Sequence, residues 1–275
     1  MSLELDVQTG DTEPETRNAR VTLAPVPLHP TPDFRPLGRK AYGSIPHLPG
    51  SRTGPADRHL SPALARVCTE RVRDARDHIV VLEKLDGSCV AAARVGDSVL
   101  ALGREGRLAA QSPNASRRLW AAWVSANVER FLSVLQPGER LAGEWLALAH
   151  GTRYALTHEP FVAFDLMRDG DRLPWGELTS RIGAGGFVAP GLLHEGGPLG
   201  IGAAMERLQT GGFHGAEDPV EGAVWRVERR EGAAVRVDFL AKYVRPDKVD
   251  GSLLPENTER AAVWNWRPES GAPQP

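Results

Sequence analysis

Runs of apolar residues, separated by turn residues, predict a series of β-strands along the chain. Two of the intervening turns, VGDS (95–98) and REGA (230–233), have the chemistry of tight hairpins, so antiparallel sheet is expected. The predicted strands lie in HIVVLEKLDGS (78–88), CVAAAR and VLALGR (within 89–104), RLAGEWLAL (140–148), PFVAFDLMR (160–168), EGAVWRVERR (221–230) and AAVRVDFLAKYVR (233–245).

Helical periodicity appears between these strands. Segment 61–76 begins with the cap residue Ser61 and carries apolar residues every three or four positions. Segment 116–140 is the clearest amphipathic helix, and Pro137-Gly138 ends it. The glycine-rich stretch 180–215 predicts only one short helix, at 201–210. Strands in pairs with helices inserted between them indicate an α+β fold.

The segment boundaries follow from proline and glycine content. Residues 1–38 carry mixed charge and then APVPLHPTPDFRP, whose prolines exclude helix interiors and central strands, so this stretch is predicted to be a disordered or loosely docked arm. The compact domain is expected at 39–255, followed by a C-terminal tail at 256–275.

Composition excludes several classes of protein. The chain has 275 residues, 41% of them hydrophobic, and a formal net charge of −2, so it has no global field that would draw it onto nucleic acid or an anionic membrane. Its two cysteines, Cys68 and Cys89, are too few for a metal knuckle and fit a reduced, cytoplasmic environment. The N-terminus has no apolar core of a signal peptide.

Four charged residues lie inside runs that are otherwise typical of buried strands: Lys84, Glu144, Glu221 and Lys242. Buried charges are costly unless they neutralise each other or hold a ligand. Two carboxylates and two amines suit a metal–phosphate ligand, because carboxylates bind Mg²⁺ and lysines bind phosphate oxygens. Taken alone, KLDG has another interpretation, in which Lys84 points to solvent before an ordinary turn.

EKLDGS resembles the nucleotidyl-acceptor motif K-x-D-G of the covalent nucleotidyltransferases, the superfamily of DNA ligases, RNA ligases and mRNA capping enzymes. The other motifs follow in the order of that family, over about residues 80–245, and YGSIPHLPGSR (42–52) resembles the opening segment of some RNA ligases. The motif residues are Arg104 in LGREG, Glu144 in GEW, Phe164 in FVAFDL, Glu221-Gly222 in VEGAVW and Lys242 in LAKYVR.

The resemblance is greatest to ATP-dependent RNA ligases of the RNA ligase 2 type. It implies a nucleotidyltransferase (ATP-grasp-like) domain whose antiparallel sheets flank a nucleotide pocket, with 39–255 as an adenylyltransferase domain. The remaining sequence after Lys242 is too short for the OB barrel of DNA ligases and capping enzymes.

The family's chemistry can be carried over to matching positions. Lys84 would attack the α-phosphorus of ATP, Lys242 would steady the α-phosphate, and Glu221 would hold Mg²⁺ or Mn²⁺. The implied partners are RNA 5′-phosphate and 3′-hydroxyl ends, and an end-healing or end-recognition protein. The implied nucleotide-binding residues are Glu83 (through its main chain), Lys84, Asp86, Gly87, Arg104 (to a phosphate or the RNA end), Glu144 (to ribose), Phe164 (stacked on adenine), Glu221 and Lys242.

Two positions depart from the family pattern. Cys89 stands where these ligases place asparagine or arginine, and Leu240 stands where the last motif has its first lysine, with Arg245 as a possible substitute. Alternatives therefore stay open: a minimal DNA ligase or capping-type enzyme, or a non-catalytic nucleotide- or RNA-binding protein. At single positions, Phe164 could be plain core, the two glutamates could pair with structural arginines, and Lys248 is expected at the surface.

Overall fold

The computed structural model describes residues 34–209 and 211–268, so the first 33 residues of the predicted arm and the last seven of the predicted tail lie outside it. The described residues form nine strands and five α-helices. They are β1 (Asp77–Lys84), β2 (Ser88–Val95), β3 (Ser98–Gly103), β4 (Glu139–Trp145), β5 (Phe161–Arg168), β6 (Asp171–Arg172), β7 (Leu192–Gly196), β8 (Gly222–Glu231), β9 (Ala234–Val244), α1 (Pro62–Thr69), α2 (Ala115–Ala126), α3 (Val128–Val134), α4 (Trp175–Ala184) and α5 (Ile201–Leu208).

The strands form two antiparallel sheets. The first has the order β7-β1-β8-β9 and the second the order β3-β2-β4-β5-β6, so β1 and β2, which are consecutive in the chain, belong to different sheets. Residues 85–87 cross between the sheets. Neither sheet closes into a barrel within the described residues. The predicted α+β fold with antiparallel sheets is confirmed, and both predicted hairpins are present, β2–β3 and β8–β9.

Four hydrophobic clusters lie within the described residues, and the three larger ones pack the sheets against their neighbours. The largest joins the second sheet to α2, α3 and α4 through an aromatic cluster that includes Trp120, Trp123 and Phe161. Another packs α1 and α5 on the first sheet, around Val81 and Trp225. A smaller core packs residues 41–42 against the other side of the second sheet. No helix within 34–209 or 211–268 is long and apolar enough to span a bilayer.

The segments at both ends of the compact domain pack onto it. In the upstream segment 42–52, the carbonyl of Pro46 accepts a hydrogen bond from Lys242 N at 3.0 Å, which extends the first sheet beyond β9. In the predicted tail, Asn265 N donates to the carbonyl of Ala147 at 2.9 Å, and Trp266 lies 5.9 Å from the ring of Trp145. The domain boundaries themselves stay predictions.

Three predicted elements differ from the structure. The helix that begins after Ser61 ends at Thr69 instead of continuing to residue 76. The segment predicted as one helix from 116 to Pro137-Gly138 is two helices, because Asn127 leaves helical geometry and its side-chain amide donates to the carbonyl of Trp123 at 2.8 Å, which separates α2 from α3. The stretch around 180–215 also holds the end of α4 and the whole of β7, which were not predicted.

Candidate active site

A pocket of about 130 Å³ lies between the two sheets, and we call it the intersheet pocket. Its walls come from the ends of β1, β8 and β9 on one side, from β2, β4 and β5 on the other, and from the upstream segment. Its lining includes Tyr42, Gly43, Ile45, Leu82, Glu83, Lys84, Leu85, Cys89, Arg104, Glu144, Phe164, Asp165, Pro190, Val224, Arg226, Leu240 and Lys242.

Lys84 ends β1 and reaches into this pocket. Its Nζ lies 2.5 Å from Glu221 Oε2, and only 20% of its side chain is exposed. Burial alone would lower the pKa of Lys84, but the carboxylates of Glu221 and Glu144 outweigh burial and raise it. Among the protein's own charges the amine is therefore an ammonium, and the interpretation of Lys84 as a solvent-facing residue is wrong.

Glu221 is a buried carboxyl and Glu144 a half-buried one. Burial raises the pKa of Glu144 to about 8, with the nearby charges of Glu221 and Asp86 acting in the same direction. Burial likewise raises the pKa of Glu221. Glu144 Oε1 accepts a hydrogen bond from Gly87 N at 3.1 Å. Within the described residues neither glutamate forms an ion pair with an arginine, so pairing with structural arginines does not explain them.

Phe164 presents its ring to the intersheet pocket. It is half-buried, whereas its neighbours Ala163 and Asp165 on β5 are fully buried. Its ring lies 5.0 Å from that of Tyr42, edge to face. The ring is therefore a pocket wall as well as part of a core, and Tyr42, which sequence reasoning did not select, is its partner.

Lys242 lies across the pocket from the second sheet. Burial lowers its pKa, and the neighbouring charge of Lys84 lowers it further. The carboxylates of Asp57 and Glu221 raise its pKa but are outweighed. Arg104 is exposed at the rim, where it donates to the carbonyl of Gly43 at 3.4 Å.

The two departures from the family pattern are both lining residues. Cys89 lies opposite Glu144 in the β2–β4 register, and burial raises the pKa of its thiol. Leu240 gives an apolar surface at the position of the missing lysine. Arg245, the possible substitute, lies outside the pocket and pairs with Asp247 at 2.5 Å.

Gly87 and Asp86 follow Lys84 in the crossing between the sheets. A Cβ at Gly87 would lie 2.7 Å from the carbonyl oxygen of Trp145, so only glycine lets the crossing approach β4 this closely. The Asp86 carboxylate is buried and pairs with Lys248 at 2.9 Å. Lys248 is only 8% exposed, so its expected surface position is wrong.

Glu83 contributes main chain, but not its carboxylate, to the pocket side of β1. Its side chain points to the opposite face of the sheet, where Oε2 accepts a hydrogen bond from Phe213 N at 3.0 Å. Burial raises the pKa of this carboxyl to about 7. Its main-chain N–H donates to the carbonyl of Gly191, beside the pocket residue Pro190.

A buried ion-pair network that sequence reasoning missed forms one side of the pocket. Arg226 on β8 is fully buried, and its guanidinium donates to Asp165 Oδ1 on β5 at 2.6 Å and to Glu228 Oε1 at 2.9 Å. Asp165 Oδ2 also accepts from Tyr42 and Arg172. The available signal was the same as for Glu144, since both Asp165 and Arg226 are charges inside apolar strand runs.

No cluster of three or more histidine, cysteine or acidic side chains is arranged as a metal site within the described residues. The metal role of Glu221 therefore stays a prediction. The structure brings most of the predicted residues together around one pocket. Glu221 contacts the lining residue Lys84, whereas Asp86 and Gly87 follow Lys84 in the chain and do not line the pocket.

The family model of RNA ligases matches residues 77–244. This chain belongs to the RNA ligase family. The match begins with β1 and ends with β9, and thus covers both sheets and every motif from Lys84 to Lys242. None of the curated protein sequences compared with the chain gives a significant match.

Among solved structures, an apo mutant of the Naegleria gruberi RNA ligase is 16% identical, with a TM-score of 0.48, over 82% of this chain and 60% of that one. A mutant of the same ligase with AMP and Mn is 18% identical, with a TM-score of 0.48, over 72% and 59%. An archaeal ATP-dependent RNA ligase is 19% identical, with a TM-score of 0.43, over 74% and 48%. This chain therefore spans about half to three-fifths of the length of these ligases.

Proposed function

We propose that this member of the RNA ligase family is an ATP-dependent RNA ligase. It would join a 5′-phosphate to a 3′-hydroxyl through lysyl-AMP and adenylylated RNA. The observation that carries the proposal is the position of Lys84, an amine held against Glu221 inside a pocket that also contains Glu144, Phe164 and Lys242.

In the first step the Nζ of Lys84 forms a bond to the α-phosphorus of ATP, and the bond to the β-phosphate oxygen breaks to release pyrophosphate. The ammonium must first lose a proton, and the nearest acceptor is Glu221 Oε2 at 2.5 Å. The adjacent charge of Lys242 favours this loss and would stabilise the charge that develops on the phosphate. In the later steps AMP passes to the RNA 5′-phosphate, and the 3′-hydroxyl displaces it.

The other lining residues suit the rest of the nucleotide. The half-exposed ring of Phe164 can stack on adenine, and Glu144 can accept hydrogen bonds from ribose hydroxyls. The main chain at Glu83 lies on the pocket wall that would face the edge of the base. Arg104 at the rim is placed for a phosphate or for the RNA end.

The carboxyls of the pocket fit a divalent cation. Glu144 and Glu221 are hard oxygen donors that both act on Lys84, and burial together with the charge of Glu221 raises the pKa of Glu144, an effect that a bound cation would offset. Glu221 would hold Mg²⁺ or Mn²⁺, which would supply Lewis-acid neutralisation of the phosphate charge. Mutants of the Naegleria gruberi ligase have been solved with ATP and Mn, as well as with AMP and Mn.

The substrate ends and the location belong to the same proposal. We propose RNA 5′-phosphate and 3′-hydroxyl ends as the substrate and, as the resemblance to RNA ligases implies, a separate protein that delivers or heals these ends as a partner. A cytoplasmic location is supported by the two free cysteines, Cys68 and Cys89, which the structure leaves unpaired.

Transfer of label from ATP to the protein tests the proposal. The chain has four lysines, at positions 40, 84, 242 and 248, so the labelled residue can be assigned by peptide mapping. With [α-³²P]ATP and Mg²⁺, we expect label that survives denaturation and alkali but is released by acid, as the P–N bond of lysyl-AMP requires. The label should disappear in Lys84→Ala and persist in Lys40→Ala, whose side chain is 57% exposed.

The same assay separates the alternatives. Wild-type protein that takes no label from ATP or GTP would be a non-catalytic binder, as the apolar Leu240 in the pocket would allow. Label from GTP alone would indicate a capping-type enzyme. If ATP labels Lys84, sealing of nicked and free RNA ends is compared with sealing of the matching DNA ends, and preferential sealing of DNA would contradict the RNA substrate.

A further inference from the structure

Lys248 is a buried amine outside the intersheet pocket. It lies after β9, beyond the residues that match the RNA ligase family, and is 8% exposed. Its Nζ lies 2.9 Å from Asp86 Oδ2 and donates to the hydroxyl of Thr152. A lysine is buried at a considerable cost in desolvation, which an ion pair with good geometry and an added hydrogen bond can offset.

Asp86 is held on several sides at once. Besides Lys248, its Oδ2 accepts hydrogen bonds from Gly151 N at 3.0 Å and from Thr152 Oγ1 at 3.3 Å. Its main-chain N–H donates to the hydroxyl of Tyr154 at 3.0 Å. Asp86, two positions after Lys84, is thus fixed through both its side chain and its main chain.

The turn that carries Lys248 also contacts the other side of the Lys84 site. Arg245 N donates to the carbonyl of Glu221 at 3.0 Å, and Lys248 N donates to the carbonyl of Arg245 at 3.1 Å. We call residues 245–248 the clasp turn. It bonds to Glu221, beside which the Lys84 amine lies, and to Asp86, two positions after Lys84. This turn fixes two chain segments that must stay aligned for Lys84 to point at Glu221.

We propose that Lys248 is a positioning residue for the covalent step, acting through Asp86 on the main chain of residues 84–87. The proposal rests on the proposed function, because it assigns Lys248 to the same lysyl-AMP reaction. Loss of the ammonium leaves Asp86 as a buried carboxylate without a cation, so the crossing moves toward water and carries the Lys84 amine out of line with the α-phosphorus. Lys248 itself lines the cavity next to the clasp turn and does not line the intersheet pocket.

The first experiment measures two quantities: the single-turnover rate of label transfer at saturating ATP, and the ATP concentration that gives half-maximal labelling. We expect Lys248→Met to lower the rate at saturating ATP by about 100-fold, the size of effect that a misplacement of about 1 Å produces. The half-maximal ATP concentration should change little. Lys248→Arg should recover part of the rate, because it restores the charge beside Asp86.

Two further variants make the comparison specific. Thr152→Val removes the hydroxyl that bonds Lys248 and Asp86 without changing side-chain size, and should lower the rate by about tenfold. Arg245→Met belongs to the same turn, but its side chain pairs with Asp247 outside the pocket, so it should label at the wild-type rate. If Lys248→Met fails to fold, Thr152→Val supplies the test.

Hydrogen–deuterium exchange of the peptide that spans residues 82–90 tests the positioning without any activity. In Lys248→Met, the amides of Asp86 and Gly87 should exchange faster than in the wild type. Folded Lys248→Met with wild-type rate and wild-type exchange would overturn the proposal, as would a defect seen only in the ATP requirement. A wild type that takes no label would instead remove the proposed function, while the exchange comparison would still test the clasp turn.

Discussion

At the scale of single residues, neighbouring side chains on β1 lie in opposite environments. Lys84 points into the intersheet pocket, where carboxylates compensate its charge. Glu83 points to the other face, where Phe213 N supports one carboxylate oxygen and the other, Oε1, has no hydrogen-bond partner among the described residues. The nearest histidine, His214, has its pKa lowered to about 4 by burial and is neutral at pH 7. Within the part of the chain that the structure describes, Glu83 is thus a buried acid whose one possible cationic partner, His214, is neutral.

This burial predicts a pH dependence of stability. The pKa of Glu83 is raised from 4.5 to about 7, so the stability present below pH 4.5 is lost as the pH rises through 7. The loss is about 3 kcal/mol for a shift of this size. Glu83→Gln should therefore gain in stability relative to the wild type between pH 5 and pH 8, as measured by urea unfolding. An equal difference at both pH values would show that Glu83 does not titrate in this range.

A second prediction separates the two functions of aromatic residues on β5. Phe164→Leu should raise the ATP concentration for half-maximal labelling about tenfold, because stacking on a base contributes about 1–3 kcal/mol. Phe161 is 2% exposed and lies 4.7 Å from the ring of Trp120, so Phe161→Leu should instead lower the unfolding free energy by about 1–3 kcal/mol. Equal effects of both variants on ATP use would count against stacking by Phe164.

Single residues were predictable where a charge interrupts an apolar run. That signal found Lys84, Glu144, Glu221 and Lys242, because strand periodicity is local. It did not reveal Lys248, whose partner Asp86 lies 162 positions earlier in the chain, in contact with it only through the fold. From sequence alone, a lysine between Pro246-Asp247 and Val249 is predicted to lie in an exposed turn, because its contact with Asp86 is visible only in the fold.

At the scale of elements, the start of the β8–β9 pair fixes two site residues together. Glu221 immediately precedes β8 and Lys242 lies near the end of β9. A Cβ at Gly222 would lie 1.9 Å from the carbonyl oxygen of Tyr243, so the strands approach each other here only because residue 222 has no side chain. The Glu-Gly pair of the motif thus combines a functional carboxylate with close strand packing.

We therefore expect Gly222→Ala to force β8 and β9 apart. It should lower the unfolding free energy by about 3 kcal/mol or more and abolish label transfer in any protein that folds. Gly202→Ala on α5 is a matched control, because a Cβ there meets nothing within 4 Å. Unfolding in urea and label transfer measure both effects, and a Gly222→Ala variant as stable as Gly202→Ala would contradict the steric argument.

The elements themselves were predictable where local pattern decides. Hairpin turn chemistry gave β2–β3 and β8–β9, but the glycine-rich stretch concealed β7, whose five residues form a strand only by pairing with β1. The break between α2 and α3 depends on one side-chain hydrogen bond of Asn127, which periodicity does not register because apolar residues recur on both sides of it. Strand pairing between distant segments and hydrogen bonds of single side chains are thus the features that the sequence pattern could not predict.

At the scale of the whole molecule, the site exists only while the two sheets keep their relative position. Lys84 and Lys242 belong to the first sheet, while Glu144 and Phe164 belong to the second. The covalent connection between β1 and β2 fixes one end of the pocket. On the pocket side, the ion pair of Arg226 with Asp165 joins β8 to β5 across the two sheets.

This ion pair predicts how the two sheets respond to mutation. Arg226→Met leaves Asp165 and Glu228 as buried carboxylates that have lost a cation, which typically costs about 3–5 kcal/mol. Arg236 is the matched control, because it also forms ion pairs with two carboxylates, those of Glu231 and Asp238, but at an exposed position. Arg236→Met should therefore change stability little. Urea unfolding gives both free energies, and Arg226→Met should also lose label transfer because the pocket wall moves. If the two variants are equally stable, the buried ion pair does not hold the sheets together, and the pocket must keep its shape by hydrophobic packing alone.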